Sequence, residues 1–263
     1  MTSSSVPAVQ SALPIVRALT YLTPLREGGS LPAIMEADDL GTYVVKFSGA
    51  GQGTKALVAE IIVGELARAV GIRTPELALI DVAGELGRSE PDFEVQELVL
   101  GSAGLNLAVD YLPGSVGYDA SFEVPTQEAA RIVWLDALVA NVDRSARNTN
   151  LLLWHRDLWA IDHGACLRFH HSWGDPDRFA RSAYRYDDHV LSAIGDPRTV
   201  HDRLAPLVTA DRLDAITALV PDAWLVPDRD RPDPSAPADA ASARIAYRDY
   251  LLARLGEAQV WLP

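Results

Sequence analysis

The feature around which the chain is organised is the strongly apolar segment Ala129–Ala140, too long and too continuous for an exposed strand, and it predicts a buried helix. A polar stretch, Asn141–Asn150, follows it, and then two short apolar runs, Leu151-Leu152-Leu153-Trp154 and Leu158–Ile161, split by His155-Arg156-Asp157. Two such runs around a polar turn predict a β-hairpin. The order is therefore helix, polar loop, strand, turn, strand and then an acid, Asp162. The N-terminal third reads differently. Leu19–Leu22, Pro32–Ala37 and Thr42–Phe47 are strand-like and separated by turns at Arg26–Ser30 and Asp38–Gly41, which predicts a three-stranded antiparallel meander. A Gly-rich bend, Ser48–Thr54, leads to a helix over Lys55–Val70, with Leu57, Ile61, Ile62 and Leu66 at helical spacing and Gly71 at the stop. Glu76–Val82 and Phe93–Leu100 read as strands, and Leu107–Leu112 as an extended run ending at Pro113-Gly114. Thr126 reads as the cap of the apolar helix. Phe169–Asp188 has no clear period, His189–Val220 is helical, Pro227–Ser242 is a Pro- and Asp-rich loop, and Arg244–Ala258 is an amphipathic helix.

Composition narrows the function. The chain has 263 residues and a net charge of −13, with a pI near 4.8 and a mean hydropathy of +0.04. The hydrophobic content, 48%, is ample for a core in one large domain or two lobes. The acidic balance argues against nucleic acid as a partner, since a basic stripe is the expected footprint. Any anionic ligand must then be met by a few cations gathered locally. The single cysteine, Cys166, excludes an intrachain disulfide framework and fits a reducing compartment. No run approaches the roughly 18 apolar residues of a membrane span. The start of the chain, Met1–Ala12, has no basic residue ahead of an apolar run, so it reads as a disordered tail and not a signal peptide. The expected location is cytoplasmic.

The polar loop carries the chemistry. Asp143 and Asn148 stand in an Asp-x-x-x-x-Asn spacing above the buried helix, and Asp162 at the exit of the hairpin. A free carboxylate can orient a hydroxyl, and an amide oxygen five residues on can hold Mg²⁺, which favours hard oxygen ligands. Asp162 is placed like the acid that opens the Asp-Phe-Gly element of protein kinases, with Gly164 allowing a tight turn. A plain surface loop with solvated side chains is the alternative, but such loops rarely reproduce the whole order. Lys46 lies inside an apolar strand, where an ammonium needs a partner, and Glu60 on the next helix supplies one. That pairing orients nucleotide phosphates in protein kinases, whereas a solvent-facing lysine on an alternating strand is the bland reading. Gly28-Gly29-Ser30, ahead of Lys46, can lay backbone N–H groups over phosphates or simply turn the chain.

Other motifs are weaker. Gly49–Lys55 fails as a Walker loop, because Thr54 and Ala56 stand where glycine and a hydroxyl residue are needed. Gly51-Gln52-Gly53-Thr54-Lys55-Ala56 fits a dinucleotide fingerprint with Asp81 ending the next strand, which keeps a Rossmann-type NAD-binding oxidoreductase as an alternative. His163, Cys166, His170 and His171 match no common zinc spacing.

Taken in order, the Gly-Gly hairpin, Lys46, Glu60, Val109-Asp110-Tyr111, Asp143 to Asn148 and Ile161-Asp162-His163-Gly164 resemble the HipA-like kinase family, short bacterial relatives of the HipA toxin. Tyr43–Phe47 and the Gly-Ile-Arg-Thr-Pro after the helix add to the likeness, which runs from about residue 18 to the C-terminus. The resemblance implies an α+β, bilobal kinase-like fold. Its N-lobe would be an antiparallel sheet plus one helix over residues 15–112 with the hinge, after a disordered tail over 1–14. Its C-lobe, 113–263, would be mainly helical with a catalytic-loop hairpin and a flexible loop at 227–242. It implies an ATP- and Mg²⁺-dependent transfer of phosphate to a hydroxyl of a protein Ser/Thr or a small molecule. Asp143 would be the acid/base, Asn148 and Asp162 the Mg²⁺ ligands, Lys46 the phosphate-positioning cation, and Val109, Asp110 and Tyr111 the hinge against adenine. The chain is much shorter than the HipA toxin, lacking an antitoxin-contacting N-terminal subdomain, so a toxin–antitoxin role is not expected. A nucleotide-binding pseudokinase, acting as switch or scaffold, is the other reading; the intact Asp143, Asn148, Asp162 and Lys46 argue against it.

Overall fold

The computed structural model describes residues 9–25, 31–51, 53–226 and 233–263, and the chain divides into two compact units. Ala12–Leu57 and Pro75–Gly114 make one of them. Its strands are β1 (Ile15–Pro24), β2 (Ala33–Ala37), β3 (Thr42–Lys46), β4 (Leu77–Val82) and β5 (Gly104–Asp110). They close into a barrel in the order β1-β2-β3-β5-β4. The meander β1-β2-β3 is antiparallel as its turns predict, with Ala33 opposite Val45 and Met35 opposite Tyr43. Closure comes from β1 running parallel to β4, Ile15 opposite Leu79 and Arg17 opposite Asp81. The expected antiparallel sheet is thus a mixed, closed one, and closure removes open edges. Val16, Ala18, Met35, Val45, Phe47 and Ile80 fill its interior. Leu13 is buried and the Pro14 carbonyl accepts the Leu79 N–H at 2.8 Å, so the chain is already packed at positions expected to be tail.

Gly51 and Gly53, at φ +45 and +66, turn the chain from β3 into α1 (Thr54–Ala69), which begins in this unit and continues in the other. Gly71 ends α1 at φ +77. There the Ile72 N–H bonds the Ala67 carbonyl and the Gly71 N–H the Arg68 carbonyl, a Schellman stop. Two expectations fail in the barrel unit. Phe93–Gly101 is a helix, α2, and not a strand: Asp92 caps it by accepting the Glu94 N–H, and Val95 and Val99, one turn apart, enter the core. The dinucleotide reading fails as well. β3 has β2 and β5 as neighbours, both antiparallel, so it and β4 form no parallel βαβ pair across α1.

The other unit, chiefly Val58–Thr74 and Ser115–Pro263, is mainly helical. Its axis is α3 (Thr126–Val139), buried at every position from Ala129 except Arg131. Pro125 rather than Thr126 stands at the cap position, with no side-chain cap bond. A small sheet, β6 (Val116–Gly117), β7 (Leu151–Trp154) and β8 (Asp157–Ala160), contains the predicted hairpin, with Leu151 opposite Ala160 and Leu153 opposite Leu158. The helices that follow are α4 (Pro176–Ala180), α5 (Arg198–Leu204), α6 (Ala210–Thr217), α7 (Asp222–Leu225), α8 (Ala240–Gly256) and α9 (Ala258–Trp261). α8 starts inside the stretch expected to be loop, because Asp239 and Ser242 form a reciprocal capping box.

Two contacts fix α3. Arg254 of α8 is fully buried, and its guanidinium donates to the Ala137 carbonyl at 2.8 and 3.0 Å and to the Phe179 and Ser182 carbonyls. Ala137 is among the carbonyls left unpaired at the helix end, so the arginine satisfies backbone that would otherwise be stranded. At the other end, a Cβ on Gly195 would stand 2.5 Å from the Ala129 carbonyl carbon and nearer still to the Ala130 nitrogen. The helix backbone cannot yield as a flexible side chain can. Gly195→Ala is therefore expected to cost about 1–3 kcal/mol by overpacking, read as a lower urea midpoint; an unchanged midpoint would show that the close approach is not structural.

Candidate functional site

The polar loop is held from below by one buried carboxylate. Asp136 lies within the last turns of α3, fully buried, and accepts from Arg144 Nε at 2.6 Å, Asn141 Nδ2 at 2.8 Å and His189 Nε2 at 2.9 Å. Burial alone would raise its pKa, but the Arg144 guanidinium and the His189 hydrogen bond hold it well below the usual carboxylate range. Burial would likewise disfavour the Arg144 charge, and Asp136 reverses that. The Leu191 N–H donates to His189 Nδ1 at 3.1 Å, which leaves the ring proton on Nε2, facing Asp136.

Arg144 then reaches outward. Its NH1 group bonds the Asn150 carbonyl and, at 3.4 Å, the Ile161 carbonyl. The Ile161 N–H also donates to the Asn150 carbonyl at 3.0 Å. One guanidinium thus joins the end of the loop to the residue immediately before Asp162. Asn150 and Asp162 are at φ +47 and +54, left-handed conformations that non-glycine residues adopt only when held.

Above this base the loop makes its own contacts. Asn148 Nδ2 donates to Asp143 Oδ2 at 3.0 Å, and Asn150 Nδ2 donates to the Asp143 carbonyl at 3.0 Å and to its Oδ2 at 3.3 Å. The Asp143 N–H is fixed by Asn141 Oδ1 at 3.0 Å, and Ser145 Oγ receives the N–H groups of Arg147 and Asn148. With its amide nitrogen committed to Asp143, Asn148 keeps its Oδ1 for another partner. That oxygen and the carboxylate of Asp162 are the donor type Mg²⁺ takes, so these residues fit the ion.

A family model for HipA-like kinases matches residues 20–261. The chain belongs to the HipA-like kinase family. Two solved structures of the Golgi casein kinase are also similar. One is 13% identical and covers 95% of this chain and 74% of that one, at a TM-score of 0.40. The other, with Mn/ADP bound, is 13% identical and covers 95% and 73%, at a TM-score of 0.45. No curated protein matches the chain.

In this HipA-like kinase the remaining predicted residues fall as follows. Lys46 ends β3, half-buried, opposite Leu107, and belongs to the barrel unit. Glu60 is buried on α1 and belongs to the helical unit, as do Asp143, Asn148 and Asp162. Burial pushes the Cys166 thiol up, and Asp136, Glu60 and Asp162 add to it while Arg144 opposes them. Val109 and Asp110 close β5 against Val44 and Tyr43, and the N–H groups of Asp110 and Tyr111 are taken by the Glu76 and Thr42 carbonyls at 2.9 and 3.0 Å. Burial raises the Asp110 pKa, and Glu76 adds to it. Gly28, Gly29 and Ser30 lie outside the described residues. His170 bonds the Tyr247 hydroxyl at 2.9 Å and His171 at 3.2 Å. Among the described residues, no three His, Cys, Asp or Glu side chains are grouped to hold a metal, and no helix is long and apolar enough to cross a membrane.

Sequence reasoning missed Asp136, Arg144, Asn150 and His189. Asp136 had a signal: it is the one charge in Ile132–Ala140, and an acid in so apolar a helix demands a partner. His189, far along the chain, had none.

Proposed function

We propose that the protein is a phosphotransferase that moves the γ-phosphate of ATP, with Mg²⁺, to a hydroxyl. The observation that carries this reading is the single buried guanidinium of Arg144 bonding both the Asn150 and the Ile161 carbonyls, which ties the Asp143–Asn148 loop to Asp162. Membership of the family supports it. In this reading residues 15–112 act as the N-lobe with hinge and 113–263 as the C-lobe, so the N-lobe takes in Val58–Thr74, which clusters with the helical unit. Asp143 orients the acceptor hydroxyl and takes its proton as the oxygen attacks the γ-phosphorus; the bond to the bridging oxygen breaks and ADP leaves. Asn148 Oδ1 and the Asp162 carboxylate hold Mg²⁺. When bound, the ion neutralises charge on the phosphates. Lys46 is the cation that orients the phosphates, the role the family resemblance gives it. Val109, Asp110 and Tyr111 form the hinge that meets the nucleobase, with the Asp110 and Tyr111 amides already taken by the Glu76 and Thr42 carbonyls.

The test is thermal. ATP–Mg²⁺ at ~100 times its dissociation constant should add about 2.7 kcal/mol of stability. Asp162→Asn should remove the Mg²⁺-dependent part of that gain and leave the small shift given by ATP alone. No rise in Tm with millimolar ATP–Mg²⁺ would sink the nucleotide site.

A further inference from the structure

Beside the Asp143 loop the helical unit carries a half-open cavity of about 880 Å³ that the nucleotide reading does not use. Val142 and Arg144, the neighbours of Asp143 on either side, both line it, as does Ser145. An occupant therefore lies against the segment that carries Asp143. Its lining is rich in aromatic rings, Trp173, Phe179 and Tyr184, with Phe169 and Tyr250 stacked at 4.2 Å alongside. Such faces favour a flat body.

Three arginines, Arg168, Arg178 and Arg185, stand at the same cavity, and all are exposed. Arg185 pairs with Asp188 at 3.4 Å. The other acid at the cavity, Asp175, caps α4 through Oδ1, which accepts the Asp177 N–H at 3.0 Å. Arg168 and Arg178 have no ion-pair partner among the described residues. In a chain of net charge −13, two uncommitted guanidinium groups at one cavity mark a place for an anion.

The backbone of the wall is not available to a peptide. The Trp173 N–H is taken by Asp233, the Gly174 N–H and carbonyl by the Tyr250 hydroxyl, and the Phe179 and Ser182 carbonyls by Arg254. A protein acceptor laid down as an added strand needs those groups free. The volume lies within the roughly 300–1,000 Å³ of small-molecule sites.

We propose that this cavity is the acceptor site, and that the acceptor is a small molecule bearing a hydroxyl, a flat aromatic body and a carboxylate or phosphate. This rests on the phosphotransferase reading, whose chemistry it completes. The anion meets Arg168 and Arg178, the ring lies on Trp173, and the hydroxyl faces the Val142–Ser145 segment that carries Asp143.

The full chain is tested without nucleotide by thermal shift and ligand-observed NMR. The probes are millimolar 4-hydroxyphenyllactate, indole-3-lactate and phenyl phosphate, the uncharged amides of the two acids, and an acidic peptide containing serine. At least one anionic aromatic probe should bind, with its amide at least tenfold weaker. Arg168→Glu/Arg178→Glu and Trp173→Ala should each weaken that binding at least tenfold, while Arg88→Glu, an exposed reversal in the barrel unit, should not. Their unliganded Tm values report that the variants fold. The proposal is overturned if no anionic probe binds, if the amides bind equally, if the double reversal has no effect, or if the peptide alone binds, which would assign a protein acceptor. ATP–Mg²⁺ is run in parallel on the wild-type chain. Nucleotide binding without probe binding sinks the cavity proposal alone. Probe binding without nucleotide binding sinks the phosphotransferase reading, and the acceptor role with it.

Discussion

Asp143→Asn is expected to bind ATP–Mg²⁺ about as tightly as the wild type and to lose a factor of ~10²–10⁴ in phosphoryl transfer, the usual worth of a positioned general base. The expectation follows from which contacts the substitution keeps. Asn148 and Asn150 both donate to Asp143 Oδ2, and an amide oxygen at the same place can accept both. The loop below is held by Arg144 and Asp136, neither of which touches the Asp143 carboxylate, so the proposed metal ligands stay where they are. What disappears is the negative charge and the place for the hydroxyl proton. The loss should therefore fall on kcat, with the nucleotide's contribution to KM little changed. ATP hydrolysis or autophosphorylation with γ-labelled ATP reads it without knowledge of the true acceptor. Equal turnover in the two proteins would remove Asp143 from the chemistry. Tight nucleotide binding with no turnover in the wild type, whatever the acceptor, would favour a nucleotide-dependent switch or scaffold.

The parts of this molecule that were legible in its sequence are those that local period controls. The apolar run became α3, and the two runs after it paired as the hairpin their polar turn predicts, Leu151 opposite Ala160. The placement of Asp143 and Asn148 in the loop after α3, and of Asp162 just past β8, was legible for the same reason. Three features were not. α2 was misread because Phe93, Val95, Val99 and Leu100 have strand propensity, although Asp92 and the turn-spaced pair Val95 and Val99 specify a helix; tertiary packing decided between them. Barrel closure depends on β1 meeting β4 in parallel, a pairing distant in sequence that no window of the chain encodes. The base of the loop joins Asp136 to His189, which lies in turns ahead of α5 where the sequence predicts helix. There the only warning was an acid in an apolar helix, the same cue that singled out Lys46.

That base carries the largest stability effect expected in the protein. Asp136→Leu leaves Arg144 and His189 buried with their donors aimed at a hydrocarbon, and it should cost about 3–5 kcal/mol, as breaking a buried pair from one side does. The sign of the pH dependence is fixed by the direction of the Asp136 shift. Its folded pKa lies below the unfolded value of roughly 3.9. The stabilisation it brings is therefore complete above that value and is lost as pH falls below about 4 toward the lower folded pKa. Urea unfolding of the wild type should weaken over that acid range, and the Asp136→Leu profile should be flatter there. Asp136→Leu/Arg144→Met removes both charges and should recover part of the lost stability, because an apolar pair is not penalised as an orphaned charge is. Activity should not return with it. Arg144 also holds the Asn150 and Ile161 carbonyls, and methionine has no donor to replace those bonds. A double variant that is both restored in stability and fully active would show that the carbonyl clamp does not position the loop against Asp162. A double variant no more stable than Asp136→Leu would show that the cost lies in packing and not in the stranded charge.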